Sequence, residues 1–372
     1  MDKYNVLTKV SPSLNKTIKP PTGVIPNKIF DTYWYFASER QRIFWKRYAG
    51  ESGPWTKDPI LQTYKFTNTY RVLDRVSQYL LKNVIYCPDA DDYKAANTVF
   101  RIMLFKLFNR PETWELLTKE LGDAPSIHNW DITKYDTILT SAQDRGKCIY
   151  SNAYMMTAAG SNGDRRHRMY LKLWDRMFFE DGLAVNIKKA PNFEAVYNLI
   201  RPYRTMGPFL AMQYAIDINY SEVTDFLETD FIVAGPGARR GILKCFDSIG
   251  NHKETDVIRW IQETQDEQFT SRGLIFKKIG QGPNPDCPLC QGLGSWVEGE
   301  PCGCIKSGRP LQLIDCQSLF CEVDKYTRAS NPEVQVDTGS WDAQKRARIK
   351  QKFSENTERI NYVFPPKWGI TL

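Results

Sequence analysis

Four cysteines are spaced for metal chemistry. Cys287-x-x-Cys290 and Cys302-x-Cys304 form two short pairs, the second opening twelve residues after the first closes. Each pair sits beside Gly or Pro, which permits tight turns around a tetrahedral ion. Four thiolates at this spacing suit Zn²⁺, with Zn–S bonds of about 2.3 Å. The first pair continues as CPLCQGLG, the Cys-x-x-Cys-x-Gly-x-Gly pattern of zinc-ribbon knuckles. Such a closed site leaves no position for water, so the expected Zn²⁺ is structural. An iron–sulfur cluster and unligated turns are the alternatives. Cys87, Cys148 and Cys245 lie in apolar helical text and read as core thiols.

The next feature is FIVAGPGARRGILKCF. Gly235 and Gly237 flank a proline, and Arg239 and Arg240 follow in the first turn of a helix. In a helix–hairpin–helix, glycines of this kind let backbone N–H groups approach a DNA phosphate, and the arginines add charge-assisted contacts. An ordinary interhelical turn with solvated arginines fits equally well. A weaker hairpin surrounds Gly207, and Asp230 follows it by 23 residues. In DNA glycosylases of the helix–hairpin–helix type a catalytic Asp lies at a comparable distance, which makes Asp230 a candidate acid. A helix N-cap explains it nearly as well. Arg165 and Arg166, in GDRRHRMY, form a cationic loop suited to phosphates or to a solvated face.

Composition narrows the classes. With 50 Lys+Arg against 43 Asp+Glu the net charge is +7, and 13% of the residues are aromatic. The chain has the apolar content to fold. No run approaches the roughly 18 apolar residues of a membrane span, and the N-terminus lacks the pattern of a signal peptide. Cysteine usage suggests a reducing compartment. No G-x-x-x-x-G-K-[ST] occurs, so the sequence carries no P-loop kinase. The lack of a G-x-G-x-x-G between strand and helix removes support for a dinucleotide site.

Positioning falls to helices. Residues 1–27 read as a Pro-rich extended arm, and 28–272 as one helical body. Apolar residues recur at helical spacing in KIFDTYWYFASERQRIFWKRYAG, and PETWELLTKEL opens with Pro and acids. Residues 273–310, rich in Gly, Pro and Cys, read as an inserted ribbon. Residues 311–372 complete the body with LIDCQSLFCEVDKYTRAS and a basic helix, WDAQKRARIKQKF, before a tail. The expected fold class is all-α.

Six blocks together carry a resemblance: PWTKDPILQTYKFTNTYRVLDRVSQYL, FRIMLFKLFNRPETWELL, IYSNAYMM, GPFLAMQYAIDINY, DFIVAGPGARRG and LIDCQSLFCEVDKYTR. In this order the chain, over about 28–328, resembles α-glutamyl/putrescinyl-thymine pyrophosphorylase, the helical domain of hydroxymethyluracil DNA kinases. The resemblance implies a helix–hairpin–helix, DNA-glycosylase-like body with the zinc ribbon inserted. Cys316 and Cys321 fall inside a family block and are excluded from the metal set.

The family is found largely in phages that hypermodify thymine, which implies a protein of the bacterial host cytoplasm with no membrane partner. A separate P-loop kinase pyrophosphorylates 5-hydroxymethyluracil in double-stranded DNA. A family member then replaces pyrophosphate with an amino acid or polyamine. Under that implication Arg71, Lys325 and Arg328 stabilise the leaving group. Asp315 and Glu322, seven residues apart, are candidate bases. Asp74 partners Arg71, Asn68 reads the base edge, and the base is flipped out of the duplex. Structural ion pairs between helices account for each charged residue at least as well. Mg²⁺ is a further candidate cofactor. A glycosylase-like hydrolase and a non-catalytic DNA-binding partner of the kinase are the competing readings.

Overall fold

The computed structural model describes residues 18–86, 94–151, 153, 164–283, 287, 305–336, 349–354 and 361–372. Helices dominate. In chain order they are α1 (Lys28–Tyr48), α2 (Pro59–Thr63), α3 (Arg75–Leu80), α4 (Lys94–Phe108), α5 (Pro111–Leu121), α6 (Ile132–Asp144) and α7 (Arg166–Asp175). Then come α8 (Leu183–Lys188), α9 (Phe193–Ile200), α10 (Pro208–Asn219), α11 (Pro236–Cys245), α12 (Glu254–Ser271) and α13 (Leu313–Ser330). Local chemistry sets their ends. Asn27, Asp58, Asp131 and Asn192 accept backbone N–H groups at the starts of α1, α2, α6 and α9. Gly122, in the left-handed conformation, stops α5.

Two antiparallel strand pairs accompany the helices. Strand β1 (Val24–Pro26) pairs with β2 (Phe246–Ile249), and β3 (Ile279–Pro283) with β4 (Ile305–Arg309). The second pair brackets the Cys-rich segment. Cys287 is buried, whereas Cys290, Cys302 and Cys304 lie outside the described residues, as do Cys87 and most of the N-terminal arm.

The aromatic core is built on α1. Tyr33, Trp34 and Phe30 are buried against Phe320 of α13, Trp260 and Phe269 of α12, and Phe246 of β2. Helices α11 and α13 meet so closely that their contact leaves no room for side chains. A Cβ on Gly241 would lie 2.1 Å from the Phe320 carbonyl oxygen, and one on Gly237 2.8 Å from Cys321 Sγ. A Cβ on Gly235 would lie 2.6 Å from the ring of Phe209. Interior packing therefore accounts for the hairpin glycines, whatever else they contact.

One expected helix is not formed over its described part. Residues 349–354 run extended beside the end of α2: Lys65 N–H donates to Gln351 O at 3.0 Å and Phe353 N–H to Thr63 O at 2.9 Å. Backbone pairing and the partial burial of Ile349 and Phe353 override the helix propensity of this basic stretch.

Candidate functional site

Segment 54–74 builds the site. Asp58 anchors its first half. One carboxylate oxygen caps α2, accepting from Ile60 N at 2.8 Å and Leu61 N at 3.0 Å. The other accepts from Tyr35 OH of α1 and, at 2.6 Å, from Tyr326 OH of α13. Gln62 Nε2 donates to Thr56 O at 2.6 Å, and the Thr56 hydroxyl bonds Glu39, which Arg42 also holds. The 52–58 loop is thus fastened to three helices.

Between this loop and α1 lies a cleft of about 470 Å³. Trp55, Tyr64, Phe66 and Phe353 supply aromatic walls, and Arg40 and Arg47 face it from α1. The Arg47 guanidinium carbon sits 5.0 Å from the centre of the Trp55 ring. Arg40 Nε donates to Thr67 O at 3.0 Å and Nη2 to Phe66 O at 3.4 Å. Its side chain is mostly buried, yet no carboxylate of the described residues lies within ion-pair distance. Burial lowers its pKa, with Asp74 and Glu322 opposing that at longer range.

Past Phe66 the segment collects several of the sequence-derived candidates. Lys325 Nζ lies 4.5 Å from the Phe66 ring centre, on α13, and pairs with Glu322 at 2.9 Å. Glu322 also accepts from Thr67 N–H at 3.1 Å. Asn68 N–H donates to Asp74 at 2.8 Å, and the Asn68 amide closes the turn on Leu73 O. Burial pushes the Asp74 carboxyl up to about 6, against the pull of Asn68 N–H and Arg40. Asp315 accepts Arg71 N–H at 2.8 Å and Gln312 N–H at 3.0 Å, so it both ties the turn to α13 and caps that helix. Its carboxyl is likewise pushed up to about 6 by burial.

Arg71 points inward. Its guanidinium meets Asp217 of α10 at 2.7 Å, and Lys106 of α4 reaches the other Asp217 oxygen at 2.9 Å. The sequence reading paired Arg71 with Asp74 instead. Asp217 and Lys106 were not singled out, although Asp217 is a lone charge in an otherwise apolar helix and Lys106 one of two cations in the apolar run of α4, a pattern that signals a buried pair. Arg40 and Arg47 were missed as well. With Ile43 they recur at i, i+3 and i+7, one face of α1.

The remaining candidates lie elsewhere. Arg328 and Arg240 converge with Lys244 on Asp324, at 2.7, 3.0 and 3.1 Å. Arg239 is more exposed and pairs with Glu254 at 2.8 Å. Arg165 pairs with Asp144 at 2.5 Å, and Arg166 lies over the Tyr150 ring. Asp230 is exposed, and Arg259 takes its backbone carbonyl. Gly207 caps α10 with open space around it. Among the described residues no group of His, Cys, Asp and Glu is placed to hold a metal, and no helix is long and apolar enough to cross a membrane.

A helical body whose signature segment forms such a cleft matches a described family. The model for the helical domain of 5-hmdU DNA kinase covers residues 27–336, and the chain belongs to that family. A relative is the 5-hmdU DNA kinase of Bacillus phage SP10, 24% identical over 363 residues. That alignment takes in 93% of this chain and 51% of the relative, so the chain spans about half the length of the curated protein it matches. No solved structure matches it significantly.

Proposed function

We propose that this chain acts in thymine hypermodification, on pyrophosphorylated 5-hydroxymethyluracil in DNA, replacing pyrophosphate with an amine. The observation that carries the reading is segment 66–74. It sets Asn68 and Asp74 on one turn, bonds Thr67 N–H to Glu322 and stacks Phe66, a wall of the cationic, aromatic cleft, against Lys325, while the backbone of Arg71 ties the turn to Asp315. In the reaction the amine nitrogen bonds to the exocyclic methylene carbon. The carbon–oxygen bond breaks, pyrophosphate departs with its electron pair, and the amine gives up a proton. Lys325 and the cleft arginines are suited to the developing charge, and Glu322 to the proton. The name of the phage relative supports the substrate.

Arg239 and the 165–166 loop are assigned to the duplex, Arg240 being held on Asp324, and a P-loop kinase supplies the substrate. Cys287, Cys290, Cys302 and Cys304 are assigned a structural Zn²⁺. The burial of Cys287 and the paired strands at both ends of the segment support that assignment, and metal analysis of the purified chain tests it.

The test of function incubates the chain with pyrophosphorylated hydroxymethyluracil DNA and a panel of amino acids and polyamines. Nucleoside mass spectrometry should reveal an amine-substituted thymidine with release of pyrophosphate. Abasic sites in its place would point to a hydrolase, and an unchanged nucleoside pool to a binding subunit.

A further inference from the structure

We infer that the cleft between α1 and the 52–66 segment is the seat of the extruded pyrophosphorylated base, with Arg40 and Arg47 holding the pyrophosphate and Trp55 stacking on the ring. This deepens the function proposed above and rests on it. Three features point to this ligand.

First, Arg40 is a mostly buried cation bonded to two backbone carbonyls and to no carboxylate of the described residues. A buried charge without a counter-ion is costly. Its Nη1 makes no hydrogen bond to those residues, so an anion entering the cleft would complete its shell. Second, Arg47 lies two turns further along the same face of α1 and lines the same cleft, so both guanidinium groups face it and suit an extended anion such as pyrophosphate. Third, four aromatic side chains, Trp55, Tyr64, Phe66 and Phe353, line the cleft with the arginines. Trp55 is already faced by one planar cation, and its indole N–H is fixed on Glu51 O at 2.6 Å. An aromatic wall beside paired arginines suits a planar ring carrying phosphates, since base–aromatic stacking contributes about 1–3 kcal/mol. The volume of about 470 Å³ falls within the roughly 300–1,000 Å³ of small-ligand sites.

The competing occupant is the amine co-substrate, whose carboxylate would also suit arginine. Titration calorimetry separates the two, using inorganic pyrophosphate, glutamate, and a single-stranded oligonucleotide with one pyrophosphorylated hydroxymethyluracil. The chains are the native protein, Arg47→Gln, Trp55→Leu, and the exposed, distant Arg201→Gln. Losing a hydrogen bond to a charged group weakens binding by roughly ten- to a hundredfold. Arg47→Gln should therefore weaken both pyrophosphate and the oligonucleotide by that factor. Trp55→Leu should weaken the oligonucleotide more than pyrophosphate, and Arg201→Gln should change neither. Thermal melts of each variant report the fold.

Equal binding by native chain, Arg47→Gln and Trp55→Leu would overturn the assignment, as would a cleft that takes glutamate and not pyrophosphate. The function stands or falls separately. If the native chain makes the substituted nucleoside while the cleft variants bind and react normally, only the cleft assignment fails. If pyrophosphate binds through Arg47 but no substituted nucleoside forms, only the transfer chemistry fails.

Discussion

Arg71 and Asp217 form an ion pair at 2.7 Å with side chains 4% and 1% exposed. It joins the turn after segment 54–70 to the last turn of α10. Burial alone would raise the Asp217 carboxyl, but Arg71 and Lys106 hold it below the usual range. Breaking such a pair by removing one member typically costs about 3–5 kcal/mol, because the other charge stays buried. Asp217→Asn strands two cations at once. Its urea midpoint should fall by an amount worth at least that, with the slope unchanged. A triple change, Arg71→Met, Lys106→Met and Asp217→Leu, should recover most of the loss. If Asp217→Asn melted with the native chain, the pair would hold nothing together.

Gly241 tests the helix contact. A methyl group there would lie 2.1 Å from the Phe320 carbonyl oxygen, which is backbone and cannot rotate away. Gly241→Ala should destabilise by about 1–3 kcal/mol or more through overpacking, despite the better helix propensity of Ala. Gly122→Ala has nothing within 4 Å but a φ of +83°. It should cost only the strain of that conformation, about 1–2 kcal/mol. Equal melting of Gly241→Ala and the native chain would show that α11 shifts freely on α13.

Glu228 gives stability a pH dependence. Burial pushes its carboxyl up to about 7 from an ordinary 4.5, although Arg309 at 2.7 Å opposes this. A carboxyl raised on folding stabilises fully below 4.5, and that contribution is lost as pH rises through about 7. A shift of this size corresponds to about 3 kcal/mol. Denaturation at steps between pH 4.5 and 7.5 should show Glu228→Gln with a flatter profile than the native chain. A parallel pair of profiles would mean that Glu228 ionises normally.

The two hairpin arginines should separate in function. Arg239 is 63% exposed and its pair with Glu254 is open to water, whereas Arg240 is 16% exposed and locked on Asp324. Arg239→Ala should reduce the slope of log affinity for duplex DNA against log salt by about one, with little change in melting. Arg240→Ala should instead lower stability. A native salt slope in Arg239→Ala would remove this end of α11 from the DNA interface.

Helix content was legible because the apolar spacing and the caps agreed, as in α5 between Pro111 and Gly122. Long-range geometry was not. That Asp217 serves Arg71 and Lys106 depends on how α4, α10 and the 71–73 turn pack, which no local pattern specifies. Glu322 and Lys325 were placed on one stripe by spacing alone, and the structure sets that stripe against Thr67 and Phe66. The Gly235-Pro236-Gly237 motif was read for a ligand. The structure adds a packing reason that spacing does not reveal, because Phe209 and Cys321 come from distant segments. The 341–353 stretch has helical propensity, yet its end lies extended because a partner backbone was available at Thr63–Lys65.

Phe353 has a consequence for how the protein comes into being. The cleft wall it forms arrives nearly three hundred residues after Trp55, and beyond the span shared with the family model. A nascent chain therefore carries its 52–58 loop for most of its synthesis with that face uncovered and its tie to Tyr326 unmade. The cleft is finished only when the 349–354 segment emerges and zips beside α2, a late closure of high sequence separation.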